Sequence, residues 1–305
     1  MPTTVSIGVC AHNEVRRIVS LLESVSIQTL PRDFELVEII VVASGCTDGT
    51  VDVVQEWAKV HPELKLIHEL ERRGKASAID RILHEYRSEI LILVNADARL
   101  APGSLGALLT MFRRDGAVQL VCGCPIPESS RSPTVSRLED AWWGLHNRTL
   151  DALALKGQGN HCCDELMAMK RGFTDSIPKD ITCDGSYFGM LAATRGITVQ
   201  FCSEAIVFVE TPSTLRGLLT QRRRNLRGHW QVSRLFGRNP YTLEALARID
   251  PALAARILMA EFFQRPIRMI AFLAVAIPFE IIAHSLARLD GAVGRGFQPV
   301  WPMVD

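Results

Sequence analysis

Four short clusters hold most of the side chains with chemistry to offer. Ala11-His12-Asn13-Glu14, Ser44-Gly45-Cys46-Thr47-Asp48-Gly49-Thr50 and Asn95-Ala96-Asp97 each follow a short apolar run, and Gln221-Arg222-Arg223-Arg224-Asn225 comes late in the chain. A carboxylate at the end of an apolar run, as at Asp97, suits a hard divalent cation, which takes oxygen ligands and keeps positions for phosphate and water. The plainer use of such a residue is to cap a helix, and Asp48 and Asp184 fit that use as well. Glu14 suits the first turn of a helix on dipole grounds. Arg222, Arg223, Arg224 and Arg227 put four guanidiniums within two helical turns, denser than an amphipathic face requires, and such forks bind phosphate bidentately. Nucleic acid is the competing source of phosphate. Against it, 34 Lys+Arg and 33 Asp+Glu leave a net charge of only +1, and no aromatic residues interleave with the arginines. Any anion site is therefore local.

The elements that must position these clusters alternate through the first half. Apolar runs at 5–10, 37–42, 65–68 and 90–94 precede helical periods at 16–28, 50–61, 75–87 and 103–112, and a further run lies at 118–123. Strict alternation predicts an α/β fold with a mostly parallel central sheet flanked by helices. In such sheets ligands bind in the loops after the strands, here 11–14, 43–50, 72–75 and 95–99. Beyond a Pro/Ser-rich stretch at 125–133, strands are expected at 165–170 and 197–209 with a helix at 184–195 between them, and from 214 the chain reads as helices. With 305 residues, 48% of them hydrophobic and 22% charged, the chain is a packed globule of one large or two modest domains, and wholesale disorder is excluded. The eight cysteines form no repeated CxxC, which argues against zinc. The N-terminus has no basic segment followed by an apolar stretch and cleavage site, so a cytoplasmic protein with reduced thiols is expected.

In this order and at these intervals the four clusters resemble the GT-A fold inverting glycosyltransferases of family 2, over about residues 5–230. The late cluster is similar to the QxxRW element of the polysaccharide-synthase branch. The resemblance implies a Rossmann-like GT-A domain over 1–230, with a nucleotide-sugar half at 1–124 and an acceptor half at 125–230, and a helical C-terminal region over 231–305. The implied activity is hexosyl transfer from a nucleoside diphosphate sugar, expected to be a UDP-sugar, to an acceptor hydroxyl or similar nucleophile, with Mn²⁺ or Mg²⁺. Charge builds on the departing diphosphate and a cation offsets it, so Asp97 is the expected metal ligand.

The resemblance also assigns roles. Ala11, Asn13, Glu14, Ser44, Asp48, Lys75, Asn95, Ala96, Gln221 and Arg224 are expected around the donor, with Lys75 in a Gly-Lys-Ala element and Arg224 facing the diphosphate. Ser44 stands where an aspartate is common and is expected to hydrogen-bond the base. Asp184 follows Cys183 where the family has an acidic pair, and is the expected general base. Trp142, Trp143 and His161 are expected on the acceptor side, with 157–161 reading as a flexible loop. Gln221 would also shape the acceptor end. Asn225 replaces the Trp that packs under the acceptor sugar in polymerising members, which leaves processive polysaccharide synthesis as an alternative rather than the first reading. A catalytically inactive binding or scaffold protein on the same fold is the other alternative, since Ser44, Asn95, Cys183 and Asn225 all depart from the pattern.

Surplus apolar content lies at 269–287, close to the roughly 20 residues of a membrane span. Pro278, Glu280 and His284 interrupt it, and Arg256, Arg265, Arg268 and Arg288 flank it. These features predict a helix at the anionic inner face of the cell membrane or a buried core helix, ahead of a true span. The expected partners are a nucleotide-sugar donor, an acceptor that is a saccharide, lipid-linked or a small molecule, and a membrane surface met by the C-terminal helices.

Overall fold

The computed structural model describes residues 1–128, 132–264 and 266–292, so Arg265, part of the 125–133 stretch and the end of the 231–305 region lie outside the described residues. The first half alternates as β1 (Thr3–Ala11), α1 (Ile18–Ser26), β2 (Phe34–Ser44), α2 (Thr50–Val60), β3 (Leu64–Glu69), α3 (Lys75–Glu85) and β4 (Ile90–Asn95). These strands pair in parallel in the order β3-β2-β1-β4. Their apolar runs lack polar alternation because helices cover both faces. Val5, Ile7 and Val9 of β1 pack with Ile18, Leu21 and Val54 on the side of α1 and α2. On the other side Ile40 and Val42 meet Ile79 and Ile82 of α3. Gly8 lets α3 sit close, since a Cβ there would lie 2.6 Å from Ile82 Cγ2.

The second half continues with β5 (Arg99–Leu100), α4 (Ser104–Arg114), β6 (Leu120–Pro127), α5 (Pro133–Leu155), β7 (Leu166–Lys170), α6 (Asp184–Thr194) and β8 (Gln200–Val209). All eight strands join one sheet, β3-β2-β1-β4-β7-β6-β8-β5. The sheet is mostly parallel, as expected: β6 and β8 share the direction of the first four strands, while β7 runs antiparallel to both β4 and β6, and β5 antiparallel to β8. The long helix α5 and the loop after it return the chain to the end of the sheet at which β6 finishes, so β7 enters reversed, which alternation of apolar runs does not encode.

The C-terminal part is helical, with α7 (Leu215–Phe236), α8 (Leu243–Ile249), α9 (Pro251–Gln264) and α10 (Pro266–Ala292). Thr214 caps α7 by accepting from Gly217 N–H, Thr242 caps α8 by accepting from Ala245 N–H, and Gly237 ends α7 at φ 67°. A third core joins α5 to α8, α9 and α10 through Leu138, Leu145, Leu246, Ile257, Met269 and Phe272. Helix α10 is long and apolar enough to cross a membrane, yet it is docked on the fold through Ala276, Ala283 and Ala287 while Ile267, Ile270, Ile277, Ile281 and Ile282 stay exposed. It is therefore not the fully buried core helix of one expectation.

Candidate functional site

A cavity of about 1650 Å³ opens over the ends of β1, β2 and β4 and runs on between α5, α7, α8 and α10. Its rim on the β1 and β2 side is fixed by short hydrogen bonds. Asp48 accepts from Thr50 N–H (3.0 Å) and its hydroxyl (2.5 Å), and from Val15 N–H (3.1 Å). These bonds outweigh the effect of burial and hold its carboxyl below the usual aspartate range. Thr50 Oγ accepts in turn from Glu14 N–H (2.8 Å), and Asn13, in the left-handed region at φ 57°, accepts from Thr47 N–H (2.8 Å). The two strand-end loops are thus stitched into one shelf, with the Ala11 strand end facing the cavity. Ser44 lines the cavity as well. Its side chain is buried, and its hydroxyl donates to Glu71 C=O (3.1 Å) and accepts from Arg73 N–H (3.2 Å), so it also holds the loop before α3.

Asn95 ends β4, and Ala96 and Asp97 follow it at the cavity floor, beside Glu14. Burial, with Asp97 and then Asp48 adding to it against Arg17, pushes the Glu14 carboxyl up to about 7. Two carboxyls facing one pocket this way form the oxygen-rich, under-neutralised spot that a hard cation relieves. Among the described residues no three His, Cys, Asp or Glu side chains converge as a closed cage. Asp97 with its neighbour therefore fits a cation that takes its other ligands from phosphate and water.

Across the cavity Asp184 opens α6 and is buried. Lys75 Nζ lies 3.1 Å from Asp184 Oδ2 and 3.0 Å from Asp164 Oδ2. A lysine in the first turn of α3 opposes that helix's dipole, and the two carboxylates account for its place. Lys75 therefore balances these acids in the free protein. Asp184 is lifted to about 6 by burial, partly offset by Lys75, with Asp164 lifting it further. Asp164 itself is held well below the usual range, because Lys75, seconded by Arg224, outweighs its burial. Backbone packing enforces the arrangement: a Cβ on Gly185 would lie 2.3 Å from Cys162 C=O and 3.1 Å from Asp164 Cβ.

Helix α7 carries the arginines, and they divide. Arg222 is held by Glu280 (2.7 Å) and by Glu244, Arg223 pairs with Asp290 (2.6 Å), and Arg227 lies 3.9 Å from the same Asp290. Arg224 lines the cavity with no carboxylate within ion-pair distance among the described residues, and Gln221 and Asn225 line it too. The dense basic run is thus mostly internal pairing: of its two cavity-lining arginines, Arg222 is ion-paired and Arg224 is not paired to a carboxylate among the described residues.

Deeper in, His146, His161 and His229 stack edge to face at 5.5 and 5.4 Å. Burial, more than their mutual repulsion, holds them neutral, down to about 3, 3 and 4. His161 is buried and hydrogen-bonded through Nδ1 to Ser186 Oγ (3.1 Å). The loop before it is tied by Asn160, which donates to Asn239 C=O and accepts from Tyr241 N–H, so of the expected flexible loop at 157–161 only 157–158 is exposed and 159–161 is packed. Trp143 donates to Glu139 (3.0 Å) and Trp142 packs on Phe272 and Phe279, both bordering the cavity. Sequence reasoning missed Asp164, Glu139, His229 and Glu244. The usable signal was Asp164-Glu165, an acidic pair immediately before a mostly apolar strand.

A family model described as Glycosyl transferase family 2 matches residues 6–177, more than half of the chain. A dolichyl-phosphate beta-glucosyltransferase of Trichomonas vaginalis is 32% identical over 91 residues, 28% of this chain and 27% of that protein. The match thus spans about a quarter of such relatives' length. Among solved structures, the mannosyltransferase PcManGT from Pyrobaculum calidifontis in complex with GDP-Man and Mn²⁺ superposes with a TM-score of 0.63 at 24% identity, covering 95% of this chain and 81% of that one. GalNAc-T7 with UDP, GalNAc and Mn²⁺ superposes at 0.54 and 14% identity, over 76% of this chain and 48% of that one. At these identities the likeness is one of fold.

Proposed function

The chain belongs to glycosyl transferase family 2 and is a glycosyltransferase of GT-A fold, and on that premise we propose that it inverts the anomeric carbon of a nucleoside diphosphate sugar during a single, metal-dependent transfer to an acceptor hydroxyl. The observation that carries this reading is one cavity with Asp97 at its floor, Arg224 on its wall and Asp184, poised near neutrality, opposite. Asp97, beside Glu14, would hold Mn²⁺ or Mg²⁺, which when bound offsets the charge of the departing diphosphate. Arg224 would meet the same phosphates as a bidentate fork. Asp184 would take the proton as the acceptor oxygen attacks C1, the C1–O bond to the diphosphate breaks, and the nucleoside diphosphate leaves.

Asp48, Asn13 and Ala11 would form the nucleotide shelf, with Asn95 and Ala96 beneath it, and Gln221 with Trp142, Trp143 and His161 would line the acceptor half. This keeps the division of the transferase domain at about 124 and of the helical region at about 230. An amide at Asn225, where stacking would need an aromatic face, favours single transfer over processive synthesis. The donor to test first is a UDP-sugar, with a GDP-sugar as its rival, since solved neighbours carry each nucleotide. The protein would work in the cytoplasm, peripheral at the inner face of the membrane. Calorimetric titration of UDP and GDP with and without Mn²⁺, into the protein and Asp97→Ala, tests the reading. Metal-dependent binding of one nucleotide, lost in the variant, is expected, and binding of neither by folded protein would leave the inactive scaffold standing.

A further inference from the structure

We propose that the acceptor is a membrane lipid with an un-ionised hydroxyl at its head, drawn into the inner half of the cavity from a bilayer on which α9 and α10 lie. This deepens the transferase reading and rests on it. The cavity has two chemistries. The end over the strands is polar, whereas the inner wall is Leu218, Leu258, Phe272, Leu273, Ala276 and Ile277. A saccharide wants hydrogen-bonding partners throughout, and the acids of this half are already committed: Glu244 and Glu280 to Arg222, Glu139 to the Trp143 indole N–H. An apolar wall opposite a polar end fits an amphiphile.

The exit for its chain is visible on α10. Ile267, Ile270, Ile277, Ile281, Ser285 and Arg288 recur at three-, four- and seven-residue intervals, so they form one stripe, and all are exposed. The last four of them also line the cavity. The apolar lip of the site is therefore continuous with an apolar outer face, which Phe263 of α9 extends at 75% exposure. Arg248, Arg256, Arg268 and Arg288 are exposed around it and have no carboxylate within ion-pair distance among the described residues, a fit to an anionic lipid surface. The head is assigned from Asp184. A phosphate head is ionised at neutral pH and needs no proton acceptor, whereas a hydroxyl must lose its proton as it attacks C1 and expels the diphosphate, and Asp184 receives it.

The test uses the full chain with radiolabelled UDP-glucose and GDP-mannose, Mn²⁺, and phosphatidylcholine/phosphatidylglycerol vesicles doped with diacylglycerol, ceramide, a long-chain prenol or a prenyl phosphate. Cosedimentation with the vesicles and label in the organic phase with a hydroxyl lipid are expected. Ile267→Glu and Ile270→Glu should each weaken cosedimentation about tenfold or more, by the apolar burial each removes. Label only on prenyl phosphate, label only in water-soluble products, label on no hydroxyl lipid, or a face that instead joins two copies of the chain in sedimentation velocity would each overturn the proposal. Nucleotide titration on the same samples separates the failures: intact Mn²⁺-dependent binding with no lipid product sinks this inference alone, and loss of nucleotide binding sinks the transferase reading.

Discussion

Replacing Asp164 by Asn should shift the pH dependence of transfer to lower pH. In the native protein one ammonium, Lys75, is shared by Asp164 and Asp184 at 3.0 and 3.1 Å, so the two carboxylate oxygens lie no more than about 6 Å apart. At an effective dielectric of about 20 their repulsion is worth about 2.8 kcal/mol, or about two pK units on whichever acid titrates. That acid is Asp184, standing near 6 through burial, which Lys75 offsets and Asp164 reinforces. A base must be ionised to act, so native transfer is lost as pH falls through about 6, to about a tenth of its plateau at pH 5. Asp164→Asn removes the repulsion and leaves Lys75 wholly to Asp184, so the acid limb should move down by one to two units, roughly, and more than half of the plateau rate should survive at about pH 5. Lys75→Met should move the limb the other way, because Asp184 then loses its counter-charge. The assay is kcat/KM against pH at saturating Mn²⁺, with Asp164→Glu expected to restore the native limb. A limb that stays put in Asp164→Asn, or moves the same way in both variants, would refute the shared-ammonium argument.

Other perturbations test the supports. Arg222→Met strands Glu244 and Glu280 without their common cation and, because Glu244 keeps 44% of its side chain exposed, should cost about 1–3 kcal/mol in urea unfolding; a cost within error of zero would mean the pair is solvated. Gly185→Ala forces a Cβ against Cys162 C=O, so kcat should fall with the nucleotide Kd unchanged, and a normal kcat would remove the packing argument. His146, His161 and His229 have folded-state values far below the ordinary 6.5, so below about pH 6.5 the unfolded chain binds protons first. Stability is full above that pH and should drop on acidification toward pH 4, with a contribution up to about 1.4 kcal/mol per pH unit from each histidine. Equal unfolding free energies at pH 7 and pH 5 would contradict this.

Side chains whose place follows from local pattern could be read in advance. Asp97 ends an apolar strand, Asp184 opens a helix, and Asp48-Gly49-Thr50 is a turn and cap by composition alone, and the fold sets all three around one cavity. What pattern could not supply was pairing at a distance. The arginine run has its density explained by Glu244, Glu280 and Asp290, up to 67 positions away, and only packing of α8 and α10 on α7 brings them there. The bonds of Ser44 were out of reach for the same reason, since its partners lie on the next loop. The reversal of β7 depends on where α5 ends in space, which no periodicity records. Asp164 joined the site because glycine at 185 lets two backbones touch, a contact with no signature in the sequence.

The anchoring of α7 has a practical corollary. Its Arg222 and Arg223 are neutralised by Glu280 and Asp290 of α10, one step along the helix from Arg224. An expression chemist wishing to improve solubility would first cut away α10, the greasiest part of the chain. Such a cut would remove counter-ions of a helix that lines the cavity and leave cations bare against its wall. Detergent or lipid added to the intact chain is the sounder route, and a shortened protein that failed to bind nucleotide would report the surgery rather than the enzyme.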